Sequence, residues 1–163
     1  METLSLVILA KSYKPGGRCI AGRLAKYNEE KKTLTIGDWF RPVADADPKK
    51  GSITEEMYKY EDGTEVKILD VVEIPVIKHA PIDGQPENYV IDKSKKWKKT
   101  RSLTPGSIPK IAENPVSIWH DPESAINTVT ANYDEKGLIT QSLYLIKPCN
   151  LQVTQSHDFD EYS

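Results

Sequence analysis

The 163-residue chain carries 22 basic and 24 acidic residues, and a formal charge of −2 argues against a protein that coats polyanions by net charge alone. Hydrophobic residues at 38% and charged residues at 28% set it apart from disordered, collagen-like and membrane-spanning chains. A chain of this length needs no metal or disulfide staple, and two isolated cysteines, Cys19 and Cys149, read as free thiols in a reducing cytoplasm.

The first predicted strand is SLVILAKSY (5–13). Its apolar start follows Glu2 with no basic residue ahead of it and no small-residue cleavage site, so it reads as a buried strand and not a signal peptide. No stretch approaches the ~20 apolar residues of a membrane helix. KPGG (14–17) is a turn that relies on glycine at positive φ. RCIAGRLAKY (18–27) alternates as a second strand, NEEKK (28–32) is a charged loop, and TLTIGDWFRPVA (33–44) is a third strand with a bulge or bend at Gly37 and Asp38.

Further along, KKGSITEEMYKY (49–60) predicts one short helix, with Ser52 and Glu55 as a capping box. VKILDVVEIPVI (66–77) is a β-branched run broken by Asp70 and Glu73 and ending at Pro75, as a strand reaching a sheet edge would. SIPKIAENP (107–115) predicts a helical turn or two from Ser107, and DPESAI (121–126) another, capped by Asp121. LITQSLYLIKPCNLQVTQ (138–155) returns to strand patterning before an acidic tail. Close-spaced strands without a βαβ rhythm predict a mainly β fold, a small barrel or sandwich with a few short helices.

Charge is not spread evenly. DKSKKWKKTR (92–101) holds Lys93, Lys95, Lys96, Lys98, Lys99 and Arg101 against Asp92 alone. Trp97 sits among them. Cations beside a ring that can stack on a base suit a single strand of nucleic acid; a lysine-rich solvated loop with Trp97 plugging the core fits equally well. Nucleophile elbow, P-loop and metal-helix motifs are absent from the sequence, which points to a binding module more than to an enzyme. Of the histidines, His157 lies in the tail and His120 reads as orienting a turn. His79 precedes APIDGQPENYVI (80–91), where Gln85, Glu87 and Asn88 either bind a ligand or tie down their own turns.

VILAKSYKPGGRCIAGR, GDWFRPV, ILDVVEI, QPENYVI, IPKIAENPVSIW and SLYLI, in this order, resemble the dual OB-fold-containing domain family. Lys11, Arg18, Cys19, Gly22, Trp39, Arg41, Asp70, Gln85, Glu87, Asn88 and Trp119 match its pattern. The resemblance implies OB-like barrels, a prokaryotic defence or mobile-element setting, and a nucleic-acid-binding or ligand-sensing role without a cofactor. It implies a first OB-like barrel over 1–91. Residues 92–163 are then a basic linker, short helices and a second OB-like unit packed on the first. Only residues 147–163 follow SLYLI, so that second unit is expected to be incomplete, or completed by a partner protein or a second copy.

OB folds bind on the face of their second and third strands. Side chains alternate along a strand, so Trp39 and Arg41 share one face and Phe40 takes the other. One assignment puts Phe40 in the core and Trp39 with Arg41 on the binding face; the other buries Trp39 and pairs Arg41 with Asp70 or Glu87. The expected function is a non-catalytic OB module for single-stranded DNA or RNA, using Lys11, Arg18, Trp39, Arg41 and the 92–101 segment (Lys95, Lys96, Trp97, Lys98, Lys99, Arg101). The alternative is a small-molecule or nucleotide site, an enzyme's included, around Gln85, Glu87, Asn88 and Arg41.

Overall fold

A computed structural model describes residues 2–115, 118 and 139–153. Its strands are β1 (Glu2–Lys14), β2 (Gly17–Asn28), β3 (Thr33–Val43), β4 (Asp70–His79), β5 (Asn88–Ile91) and β6 (Lys98–Ser102). Two single-turn helices, α1 (Glu55–Tyr58) and α2 (Ile108–Ile111), join them. The strands run β1–β2–β3–β5–β4, and β4 pairs back onto β1, which closes a five-stranded ring with β6 outside it on β4.

The ring closes because β1 is long enough to serve two neighbours. Glu2 to Val7 pairs with β4, and Leu6 to Lys14 pairs with β2. A bulge between Ile8 and Ala10 lets the strand bend from one partner to the other. At that corner a Cβ on Gly22 would sit 2.0 Å from the Val7 carbonyl oxygen, so no larger residue fits. The β1–β2 hairpin turns at Gly16, which takes φ of +80°. β3 and β5 pair in parallel, with Arg41 opposite Asn88. The barrel expected from the pattern is therefore present, and it is OB-like.

The interior follows the period-two alternation. Leu6, Ile8, Ile20, Phe40, Val72, Ile74 and Ile91 point inward, joined by Ile53, Tyr58, Tyr60, Val66 and Trp97 from the connecting segments. A smaller cluster on the outside, Val7, Ala25 and Val71 with Leu34, Ile36 and Leu103, is covered in part by the chain leading into α2. Gly37 and Asp38 form the expected bulge, since the register jumps from Trp39 to Ile36 while β2 advances from Arg23 to Ala25.

Three local expectations need correction. The helix at 55–58 forms, but Ser52 is not its cap. Thr54 stands at the N-cap without a side-chain bond, and the Ser52 hydroxyl donates to the Pro15 carbonyl, securing the hairpin turn. Asp70 and Glu73 do not break β4, and Pro75 does not end it. Pro75 faces Thr3 of β1, and its carbonyl still accepts from the Asp92 amide, so the strand loses only the one N–H that proline lacks. Finally, the strand predicted over 138–155 is irregular across the described residues 139–153, apart from one parallel bridge between Glu113 and Ile146. Glu113 is the reason: its backbone N–H donates to the Leu145 carbonyl while its carboxylate receives the Leu145 N–H, in place of a neighbouring strand. The helix predicted at 121–126, and Trp119, His120 and His157, lie outside the described residues.

Candidate ligand-binding face

The outer face of β2 and β3 is divided into two parts by what covers it. Toward one end, Trp39 is 7% exposed and its Nε1 donates to Glu113 Oε2 at 3.0 Å. Gln141 donates to the other Glu113 oxygen at 2.9 Å. Beside it Arg41 lies 2.8 Å from Glu87 Oε1, with both side chains largely buried. Ser142 completes the group: its hydroxyl accepts from Arg41 at 2.9 Å and donates a short hydrogen bond to Glu87. Phe40 is in the core, stacked on Tyr89 with ring centroids 4.5 Å apart. The face assignment is thus the second of the two offered by the sequence: Trp39 is buried and Arg41 pairs with Glu87. Asp70 is engaged elsewhere.

The QPEN turn is tied to its own backbone. His79 Nε2 donates to the Pro86 carbonyl at 2.7 Å, Asn88 donates to Gln85 Oε1 at 3.2 Å, and the Arg41 amide donates to the Glu87 carbonyl at 2.8 Å. This network also holds unused capacity. Among the described residues Arg41 Nε, Glu87 Oε2 and Asn88 Oδ1 are buried without a hydrogen-bond partner. Such atoms cost free energy unless something satisfies them.

Toward the other end lies an open cleft of about 280 Å³ between the β1–β2 turn and the 80–87 loop, lined among others by Tyr13, Lys14, Arg18, Arg41 and Gln85. Tyr13 and Arg18 are cross-strand neighbours beside the Pro-Gly-Gly turn. The guanidinium of Arg18 sits 6.0 Å from the centre of the Tyr13 ring, and that ring is 78% exposed. Among the described residues Lys14 reaches the Pro48 carbonyl, at 3.5 Å. Lys11, two residues before Tyr13, is turned away, bonded to Glu65 at 2.8 Å and 4.4 Å above the Tyr58 ring.

The basic segment behaves differently. Lys95 pairs with Asp92 at 3.6 Å, Lys96 with Glu56 at 3.3 Å, Lys98 with Glu73 at 3.6 Å and Lys99 with Asp70 at 2.7 Å. Arg101 lies over the Tyr27 ring at 3.5 Å and reaches Glu29 at 4.0 Å. Trp97 is 1% exposed and fills the barrel interior. Asp70 also receives the Tyr60 and Ser102 hydroxyls and the Lys67 amide. Burial pulls its carboxyl pKa up, but the bonds from Lys99, Ser102, Lys67 and Tyr60 together take it below the ordinary value. Tyr60 is pushed well above the ordinary phenol value, first by burial and then by its bond to Asp70.

A five-stranded ring closed by β1 on β4, with β3 and β5 parallel, agrees with a family model described as the dual OB-containing domain, which matches residues 4–163. The chain belongs to that family. No curated protein and no solved structure matches it. Within this dual OB-containing domain the candidate residues divide into a group around the two cavities beside β3 (Arg18, Trp39, Arg41, Gln85, Glu87, Asn88) and a group on β6 and the turn before it (Lys95, Lys96, Lys98, Lys99, Arg101). Tyr13 and Lys14 were not among the candidates read from sequence. The signal for them was an aromatic and two cations bracketing a Pro-Gly-Gly turn. Among the described residues no three His, Cys, Asp or Glu side chains gather as metal ligands, and no helix is long and apolar enough to cross a membrane.

Proposed function

We propose that this OB-type domain is a binding module for single-stranded nucleic acid, and that the strand enters through the cleft between the β1–β2 turn and the 80–87 loop. The observation that carries the reading is the exposed Tyr13 ring with Arg18 beside it and Lys14 lining the same cleft. A ring open to solvent can stack on a base, and cations not consumed by carboxylates can neutralise phosphates. Five of the six 92–101 cations face a carboxylate, and the segment supports it less. Two free thiols, Cys19 and Cys149, suit a cytoplasmic setting, and the family likeness suggests prokaryotic defence or mobile elements as the context. We retain the division into a barrel over 1–91 and a second, partial unit over 92–163 as part of this proposal.

The test is a titration of labelled single-stranded DNA and RNA at low and moderate salt, with wild-type protein and the Arg18→Gln variant. Binding that weakens with salt, with a log–log slope reduced by roughly 0.7 in the variant, supports the reading. Absence of binding to either polymer at low salt removes it.

A further inference from the structure

Behind the Arg41–Glu87 pair lies a second cavity, of about 300 Å³, at the lower end of the range for ligand sites. Arg41 lines the open cleft and Glu87 lines this cavity, so the ion pair is the partition between them. The other walls include Asp38, Trp39, His79, Tyr89 and Gln141.

The walls define what can enter. Tyr89 stacks on Phe40 with ring centroids 4.5 Å apart, and His79 lies 4.5 Å from Tyr89 on its other side, so the imidazole is the flat ring that this stack holds toward the cavity. Glu87 is 6% exposed; Arg41 and Ser142 fix its Oε1, while Oε2 is buried without a partner. That oxygen accepts and cannot donate. The adjacent guanidinium offsets the Glu87 charge, so a neutral N–H donor suits it better than a second cation would. Asp38, exposed on the β3 bulge, adds a further acceptor to the lining.

We propose that this cavity receives one unpaired nucleobase, guanine by preference, its ring against His79 and its two N–H donors toward Glu87 Oε2 and Asp38. Guanine alone among the common bases presents two adjacent N–H donors, N1 and the 2-amino group, on its pairing edge. Adenine and cytosine place an acceptor nitrogen beside their amino group, and thymine and uracil flank one N–H with two carbonyls. A base turned over the Arg41–Glu87 partition leaves its phosphate on the side of Lys14 and Arg18. The inference rests on the nucleic-acid reading for the strand, but the base site can be tested apart from it.

The experiment alters the ligand and leaves the protein intact. A labelled thymidine strand carrying one central dG is compared with strands carrying deoxyinosine, dA or dC at that position. The dG strand should bind tightest, and deoxyinosine, which lacks only the 2-amino group, should bind about 5- to 150-fold more weakly. Equal affinity for all four strands overturns the base site while leaving strand binding in place. Should no strand bind, GMP and IMP are titrated directly. GMP binding with IMP weaker supports the base site and removes the strand reading; no GMP binding at millimolar concentration removes both.

Discussion

Residues 92–101 hold six cations and residues 13–18 hold two, yet the poorer stretch offers more charge to a ligand. In the first, Lys95, Lys96, Lys98, Lys99 and Arg101 each face a carboxylate, four of those carboxylates being on β4, on α1 or in the loop after β2, and the one aromatic is inside the barrel. In the second, Lys14 meets a carbonyl and Arg18 meets a ring, and the aromatic points into solvent. Density of charge along a chain therefore says little about charge at the surface; what faces each cation across the sheet decides it.

The sharpest way to break this comparison is at Asp70, which is 2% exposed and gathers four donors, two from β6 and two from the stretch between α1 and β4. Asp70→Ala strands the Lys99 cation and two hydroxyls, and should lower unfolding free energy by about 3–5 kcal/mol in a denaturant titration. The pH dependence follows from the depressed folded pKa. The aspartate contributes fully above its ordinary value of 3.8, and that contribution is lost as pH falls through the lower folded value. Asp70→Asn should flatten the acid limb of the stability profile. If neither variant changes stability, the basic segment is not anchored there and its lysines are available to ligands after all.

Trp97 comes next. Trp97→Ala opens a hole in the core and should cost about 3–5 kcal/mol, with any loss of binding tracking the unfolded fraction. Weaker binding at unchanged stability would return Trp97 to the ligand side of the comparison.

How much of this was legible depended on the range of each interaction. Phe40 could be placed inward from alternation alone, and the bulge at Gly37 and Asp38 from local chemistry, because both are set by neighbours in sequence. Trp39 could not, since the Glu113 that holds it stands 74 residues away. Asp70 reads as a strand breaker until Tyr60 arrives from the stretch after α1 and Lys99 and Ser102 from β6. Tyr13 passed as an ordinary strand residue, because nothing in a run of alternating side chains tells which outward ring will stay uncovered.

Tyr13 supplies the next test. With its ring in solvent, Tyr13→Ala should leave the thermal midpoint unchanged and weaken single-strand binding at every salt concentration by about 1–3 kcal/mol, the usual worth of a stacked base. A destabilised variant would mean that the ring packs on something and the cleft is structural.

The smallest expected effect separates the two regions most directly. Each phosphate contact to a single strand contributes roughly 0.7 to the log–log salt slope. Replacing Lys14 and Arg18 together with Gln should lower that slope by about 1.4. Lys95, Lys96 and Lys98 replaced together with Gln should leave it unaltered, although three charges are removed instead of two. Lys99 is kept in that variant because its partner Asp70 is buried, so the fold is not put at risk. Both variants should melt with the wild type, since each pair lost lies at the surface, where side-chain entropy and salt offset most of the attraction. A slope that falls with the three lysines and not with Lys14 and Arg18 reverses the assignment: the strand then runs along β6, and the carboxylates facing the lysines yield to phosphates.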